Sequence, residues 1–408
     1  MELINAEHFR WAKNHMAKRG SDETVPHVIP PNFSDSTKKF HQQIPGYSIS
    51  PLKKLEQLSR FLGVGAIWVK DESERLTLNS FKSLGGSFAI YQFIKKKLEI
   101  DRDISFEELI SDEVRNKLGN ITFVSATDGN HGRGLAWAAL KLKQKAIIYV
   151  HQHTTIARIK AIEEFGAKVV VVNGTYDDAI AKVNLDAQKN NWQVISDTSW
   201  DGYQEIPKWV MQGYTTLLAE AQEQLTQQKI HCPTHIFVQA GVGALAGAVA
   251  DYYQAQFKNE RPHIVVVEPI SAACLLKSIE SNDKSPKTFE GNLNTIMAGL
   301  ACGTPSPLAW EILKDYADSF FACPDYVAAK GMRVYGMPLR GDPVVISGES
   351  GASTLGALMA ICEKKELTEY KKSIGLDQHS QVLLINTEGN TDPDYYRKVM
   401  WEGANYCP

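Results

Sequence analysis

The sequence predicts an α/β fold in which parallel-rich sheets are flanked by helices. Short apolar, β-branched runs recur along the chain, and each is followed by a loop and a helical pattern. Such continuous apolar runs are typical of strands buried on both faces, which occur mainly in parallel sheets. The runs that predict strands are 66–70, 121–124, 146–150, 168–172, 193–195, 235–238, 264–267 and 382–385.

The length of the chain indicates how many domains it has, and its charge balance excludes some classes of partner. The chain has 408 residues, 43% of them hydrophobic, which is enough for two or three domains. Lys and Arg number 44 against 47 Asp and Glu, and this near-neutral balance argues against nucleic-acid and membrane-surface partners. No secretory signal or membrane-spanning run is visible in the sequence. We therefore expect a small-molecule partner.

Cysteine and histidine spacing predicts neither a disulfide framework nor a metal site. The six cysteines are far apart and form no C-x-x-C pair, so reduced thiols in the cytoplasm are expected. His151 and His153 lack a third ligand at a plausible spacing. The first ~50 residues contain Pro26, Pro30, Pro31 and Pro45 and are predicted to form an irregular arm that wraps the body.

Lys82 lies in the most informative segment, which reads Asn-Ser-Phe-Lys-Ser-Leu-Gly-Gly over residues 79–86. The segment follows the predicted strand 66–70 and precedes a helical pattern, so Lys82 is expected where a loop enters a helix. A lysine in such a place can form a Schiff base with a carbonyl cofactor such as pyridoxal phosphate (PLP). Taken alone, an ordinary surface lysine is the commoner interpretation, and three further motifs argue against it.

The second motif, residues 125–134, reads Ser-Ala-Thr-Asp-Gly-Asn-His-Gly-Arg-Gly directly after a predicted strand. Small and hydroxyl residues that lead into a helix favour an anion such as a substrate carboxylate, because the backbone N–H groups there are free. Asn130 can hydrogen-bond a phenolic oxygen. A turn that caps a helix would have the same pattern.

The third and fourth motifs also follow predicted strands. Residues 241–247 read Gly-Val-Gly-Ala-Leu-Ala-Gly, a loop whose backbone can hold a phosphate, although a tight turn would look similar. The spacing differs from the G-x-G-x-x-G of dinucleotide-binding folds. Residues 386–392 contain Thr387, whose hydroxyl can hydrogen-bond a pyridine nitrogen, and the alternative is a simple polar loop.

In this order along the chain, the four motifs resemble those of PLP enzymes of fold type II, the tryptophan synthase β-subunit-like family. The resemblance runs from about Leu52 to Pro393. It implies that Lys82 carries the Schiff base, Phe81 neighbours the ring and Asn130 bonds the phenolic oxygen O3′. It also implies that Thr387 bonds the pyridine nitrogen. The residues expected at the phosphate are Gly241, Val242, Gly243, Ala244 and Leu245, and those expected at the substrate are Ser125, Thr127 and Asp128.

Four longer stretches, at residues 79–82, 126–134, 197–203 and 347–352, are similar to those of diaminopropionate ammonia-lyases. That resemblance implies elimination of ammonia from D- and L-2,3-diaminopropionate, which yields pyruvate and two ammonia. Asp128 is then the expected base for the D isomer. Asp197, alone or with Lys82, is expected for the L isomer. Both carboxylates would need pKa values raised by partial burial to act as bases near neutral pH.

Other interpretations stay open at this point. An acidic residue beside a substrate carboxylate repels it, so its presence makes sense only if the substrate carries an extra ammonium group or a second base is needed. Asp128 and Asp197 could instead be a helix cap and a turn residue. The nearest rival function is a serine or threonine deaminase, and a rival of another class is a non-catalytic PLP- or nucleotide-binding protein.

The same resemblance implies two domains and a homodimer. The larger domain is expected to combine residues 1–84 and 206–408, and the smaller to span 85–205. The cofactor is expected in the cleft between them.

Overall fold

Two sheets form the centre of the computed structural model, which describes residues 8–20, 28–127 and 129–406. Within these residues the larger sheet has seven strands in the order β1-β10-β9-β8-β11-β3-β2, and the smaller has four in the order β6-β5-β4-β7. The strands are β1 (Arg10–Lys13), β2 (Leu52–Lys54), β3 (Ala66–Asp71), β4 (Thr122–Thr127), β5 (Lys145–His151), β6 (Lys168–Val172), β7 (Gln193–Val194), β8 (His235–Gln239), β9 (His263–Pro269), β10 (Ser319–Cys323) and β11 (Gln381–Asn386).

Helices connect the strands and cover both sheets, as expected for an α/β protein. They are α1 (Phe33–His41), α2 (Glu56–Leu62), α3 (Lys82–Lys97), α4 (Phe106–Leu109), α5 (Asp112–Leu118), α6 (Asn130–Lys141), α7 (Ile156–Glu163), α8 (Tyr176–Asn190), α9 (Glu205–Gly213), α10 (Thr215–Gln227), α11 (Ala244–Phe257), α12 (Cys274–Glu280), α13 (Pro307–Tyr316), α14 (Asp325–Gly336), α15 (Glu349–Glu363), α16 (Thr368–Ser373) and α17 (Pro393–Met400). No helix of the described residues is long and apolar enough to cross a membrane.

The predicted strands are confirmed, and the central ones are parallel. Strands β10, β9, β8, β11 and β3 pair in parallel, and all pairs in the smaller sheet are parallel. Residues 264–267 of β9 have no solvent exposure, which explains why this strand reads as one continuous apolar run. The edge strand β2 pairs antiparallel with β3 and was not predicted, because two of its three residues are lysines.

The prediction of an irregular N-terminal segment is wrong for part of the described chain. Strand β1 pairs antiparallel with β10 and closes one edge of the larger sheet. Helix α1 packs on α10, where the Thr37 and Thr215 hydroxyl oxygens lie 2.7 Å apart. The prolines at 30, 31 and 45 that suggested irregular chain lie outside both elements.

The division into two sheets positions the candidate site. The strands of the smaller sheet come from one stretch of chain, between residues 122 and 194. The exact domain boundaries, 85–205 against the rest, stay a prediction. Each of the four motifs follows the carboxyl end of a strand: β3, β4, β8 and β11. Ligands of open α/β sheets bind at such ends.

Candidate active site

Lys82 is the first residue of α3, at the wall of a cleft that all four motifs line. Two glycines let α3 approach α9 closely. A Cβ on Gly85 would lie 2.5 Å from Cε1 of Tyr214, and a Cβ on Gly213 would lie 2.6 Å from the Leu84 carbonyl oxygen. Phe81 lines the same wall with its ring centroid 4.7 Å from that of Tyr214. The close packing of these helices fixes the position from which Lys82 projects.

Lys82 and Asp197 form the central ion pair of the cleft. The Lys82 ammonium donates a hydrogen bond of 2.5 Å to Oδ2 of Asp197. Only 5% of the Asp197 side chain and 16% of the Lys82 side chain are exposed, so water screens the pair little. The Tyr176 hydroxyl lies 3.4 Å from Oδ1 of Asp197. The structure thus brings together two residues that are 115 positions apart in the chain.

Asp197 does not have the raised pKa that a base would need near neutral pH while it contacts Lys82. Burial raises the pKa, but the Lys82 ammonium and His131 oppose it, and the pKa falls to about 2. The charge of the partner outweighs the desolvation because the two groups are in direct contact. Asp197 is therefore ionised near neutral pH while Lys82 is an ammonium.

The glycine-rich loop at residues 241–245 forms a cradle at the start of α11. Gly243 has a φ of +100°, which strongly favours glycine, and α11 begins at the next residue. A Cβ on Gly241 would lie 3.0 Å from Sγ of Cys302 and 3.2 Å from the Gly299 carbonyl oxygen. All five residues from Gly241 to Leu245 line the cleft. Unpaired N–H groups at the start of a 14-residue helix suit a phosphate.

Thr387 and Asn130 line the same cleft, and Glu388 joins them. Thr387 directly follows β11, and its hydroxyl oxygen accepts a 2.8 Å hydrogen bond from Nε2 of Gln239. Asn130 donates from Nδ2 to Oε2 of Glu388 at 2.5 Å, and Oε1 of Glu388 accepts from the Ser350 amide at 3.0 Å. Sequence reasoning missed both Glu388 and Gln239. Glu388 directly follows Thr387, and Gln239 lies two positions before the glycine loop, so their places in the sequence could have indicated both.

Of the predicted substrate residues that the structure describes, one lines the cleft and one does not. Thr127 lines the cleft, and its hydroxyl accepts from the amides of Gly129 at 2.9 Å and Gly132 at 3.1 Å. Ser125 is fully buried inside β4, donates to the Ala126 carbonyl at 3.2 Å, and is not among the residues found to line the cleft. It lies two residues before the end of the strand, about 6–7 Å deeper in the sheet. Asp128 lies outside the described residues.

His131 is a further polar residue of the cleft that the sequence analysis did not assign. Its Nε2 lies 2.9 Å from the Ile195 carbonyl oxygen, which can only accept, so Nε2 carries the hydrogen. Nδ1 is buried and has no hydrogen-bond partner among the described residues. His131 lies close enough to Asp197 to help hold the pKa of that carboxyl below its usual range.

Together these groups fit PLP. The cleft offers an amine for covalent attachment, a glycine cradle for phosphate, a hydroxyl for a ring nitrogen and an amide for a phenolic oxygen. Among the described residues, no cluster of His, Cys, Asp or Glu could hold a metal ion.

Comparison with known proteins agrees with this donor set. The model of the family described as "Pyridoxal-phosphate dependent enzyme" matches residues 44–379. The chain is 45% identical over 381 residues to the diaminopropionate ammonia-lyase of Escherichia coli strain K12, covering 92% of this chain and 94% of that protein. The chain belongs to the diaminopropionate ammonia-lyase family of PLP-dependent enzymes.

Solved structures of the family superpose over nearly the whole chain. The holo Escherichia coli diaminopropionate ammonia-lyase matches with a TM-score of 0.91 and 41% identity, covering 98% of this chain and 99% of that one. The same enzyme in complex with an aminoacrylate-PLP azomethine reaction intermediate gives a TM-score of 0.88, with 41% identity and 98% coverage of both chains. An L-threonine dehydratase of Staphylococcus epidermidis is more distant, at 25% identity over 298 residues, which is 71% of this chain and 62% of that one.

Proposed function

We propose that this protein is a carbon–nitrogen lyase that converts D- and L-2,3-diaminopropionate to pyruvate and ammonia. One substrate and one water would give one pyruvate and two ammonia. The observation that carries the proposal is the 45% identity to the Escherichia coli diaminopropionate ammonia-lyase over 92% of the chain. That span is long enough to include all four motifs of the cleft.

Lys82 and the groups around it have separate roles in this proposal. Bound PLP supplies an electron-accepting ring that makes the Cα proton of an attached amino acid acidic. Lys82 provides the amine for covalent attachment of the cofactor. The glycine cradle holds the phosphate, Asn130 contacts the phenolic oxygen and Thr387 contacts the ring nitrogen. Phe81, beside Tyr214, closes one wall of the site.

The charge of Asp197 suits a substrate with a second amino group. The buried Asp197 carboxylate would attract the β-ammonium group of diaminopropionate, which serine and threonine lack. The Lys82 ammonium is the largest influence that lowers the pKa of Asp197, so deprotonation of Lys82 should raise that pKa toward the range of a general base. A β-amino group also leaves more readily when it is protonated.

The two isomers present their Cα protons to opposite faces of the cofactor, which calls for two bases. We assign Asp197, acting with Lys82, to the L isomer. We assign Asp128 to the D isomer on the basis of the sequence resemblance, since that residue lies outside the described part of the chain. Thr127, one residue before it, lines the cleft, as this assignment requires.

The first test is release of pyruvate by the purified, PLP-loaded protein. D- and L-2,3-diaminopropionate would be compared with D-serine, L-serine and L-threonine. We expect rapid release from both diaminopropionate isomers. Asp197→Asn should depress activity on the L isomer more strongly, and Asp128→Asn should do the same on the D isomer. The control is Asp201→Asn, an exposed residue in the same segment, which should leave both activities unchanged.

Two results would contradict the proposal. Activity confined to serine or threonine would make the protein a hydroxyamino-acid deaminase, and an equal loss on both isomers in each variant would remove the two-base assignment. A protein that binds PLP and turns over none of these substrates would be a non-catalytic binder.

We also infer that the protein is a cytoplasmic homodimer. The segment from 337 to 346 exposes four apolar side chains, namely Met337, Leu339, Val344 and Ile346, each at least 42% accessible in the single chain. Four exposed apolar side chains within ten residues favour a subunit contact. Light scattering after size-exclusion chromatography would test the dimer. The buried thiols Cys274 and Cys323 agree with a reducing compartment.

A further inference from the structure

Gln239 is a buried polar residue at the edge of the cleft whose role the proposed reaction leaves open. It is the last residue of β8, is 2% exposed and lines the cleft beside Thr387. Its Nε2 lies 2.8 Å from the Thr387 hydroxyl oxygen and 3.1 Å from the carbonyl oxygens of both Ser350 and Ile385. Oε1 of the same amide is buried and has no hydrogen-bond partner within the described chain.

The two carbonyl oxygens decide which way the amide points. Backbone carbonyls only accept hydrogen bonds, so an amide turned the other way would set its own oxygen against two more oxygens. The NH₂ group must therefore face Ser350 and Ile385, and it also faces Thr387. An amide nitrogen has no acceptor capacity. In the bond between Gln239 and Thr387, the threonine oxygen is necessarily the acceptor.

This arrangement turns the Thr387 hydroxyl hydrogen away from Gln239. The hydroxyl has one hydrogen to donate, and no acceptor for it is found among the residues that the structure describes. Thr387 lines the cleft and is 4% exposed. The hydrogen is thus available to an acceptor that enters the cleft, and an unprotonated pyridine nitrogen is such an acceptor.

We propose that Gln239 is a positioning residue that holds the Thr387 hydroxyl as a donor toward the ring nitrogen of bound PLP. The inference rests on the proposed function, in which Thr387 contacts that nitrogen. Without Gln239, the Thr387 oxygen would lose the donor that turns its hydrogen toward the cleft, and the hydroxyl could rotate. A hydroxyl that donates but does not release its proton keeps the ring nitrogen neutral. That limits charge build-up on the ring and favours rapid elimination.

The test is the ¹⁵N NMR resonance of the cofactor ring nitrogen in the holoenzyme reconstituted with ¹⁵N-labelled PLP. Gln239→Met keeps the volume of the side chain and removes its amide. We expect the resonance to move to higher frequency, as when a pyridine loses a hydrogen bond, and PLP binding to weaken about tenfold. Gln212→Met is the matched control, since Gln212 is equally buried and bonds the Val28 carbonyl away from the cleft.

Thr387→Val separates this inference from the proposed function. If Thr387 contacts the ring nitrogen, T387V alone moves the resonance, and adding Q239M moves it no further. If T387V moves the resonance and Q239M leaves it at the wild-type position while lowering only the melting temperature, Gln239 is merely structural and the inference is wrong. If T387V has no effect on the resonance, the assignment of Thr387 itself fails. Should Q239M not fold, Gln239→Asn keeps an amide that is too short to reach Thr387.

Discussion

Glu220 is the residue whose replacement should most clearly show how buried charges beside the larger sheet stabilise the protein. It has no exposed surface, and its carboxylate accepts from the Lys70 ammonium at 2.7 Å and from the Arg75 guanidinium at 2.6 and 2.9 Å. Glu72 pairs with Arg75 on the other side at 2.7 Å. Burial raises the pKa of Glu220, but Arg75 and Lys70 outweigh it and hold the pKa well below its usual range.

Glu220→Gln keeps the shape of the side chain and removes its charge. Lys70 and Arg75 then have one remaining carboxylate nearby, that of Glu72, and all three side chains are fully buried. Breaking a buried ion pair costs about 3–5 kcal/mol, and the amide oxygen still accepts one bond, so we expect about 3 kcal/mol. With an unfolding entropy of about 0.9 kcal/mol/K for a chain of this length, the melting temperature should fall by about 3–4 °C.

Thermal unfolding of the wild type and the variant measures this difference, with Glu223→Gln as the control. Glu223 lies on the same helix, α10, but is 52% exposed, and its pair with Lys38 should contribute less than about 1 kcal/mol. Because the pKa of Glu220 is depressed, its contribution is present above pH 4.5 and is lost as the pH falls. A loss no larger than that of the control, or one that does not shrink in acid, would refute the reasoning.

Three further predictions follow from the packing and charge of the site and core. Gly241→Ala should weaken PLP binding at least about tenfold in a fluorescence titration, because the added Cβ would press on a backbone carbonyl and a cysteine sulfur. Gly86→Ala is the control and should bind PLP normally, since its added Cβ would lie 3.9 Å from the nearest atom. Glu388→Ala frees the Asn130 amide to rotate, so the visible band of the bound cofactor should shift; an unchanged spectrum would contradict this role. Burial lowers the pKa of His41 to about 3, so the free energy of unfolding should fall by about 1.4 kcal/mol per pH unit as the pH drops from 6.5 toward 3. His41→Gln should flatten that slope in urea titrations at several pH values, and an identical slope would rule out His41 as the cause.

Local sequence patterns were enough to place the motifs on the fold. The apolar runs predicted the buried parallel strands, since strands buried on both faces require apolar side chains at every position. Glycine loops after those strands predicted the turns and helix starts, and α3 begins at Lys82 as expected. The strand β1, hidden in a segment read as irregular, was missed because its partner β10 lies more than 300 residues away.

The contacts between motifs could not be predicted in the same way. Burial alone suggested a raised pKa for Asp197, and the direct contact with Lys82 reversed the sign. Ser125 belongs to the same motif as Thr127, yet it lies too deep in β4 to line the cleft. Depth along a strand and the distance to a remote charge are properties of the packed chain.

The α/β fold class, the family and the residue types that PLP chemistry needs could all be predicted from the sequence, because these depend on short-range pattern and composition. How those residues act on one another depends on the packed structure. The Lys82–Asp197 ion pair, the Asn130–Glu388 bond and the Gln239–Thr387 bond each join residues more than 100 positions apart. Hydrogen bonds and charge–charge energies depend on ångström-scale distances, and those distances exist only once the two sheets and their helices have packed together.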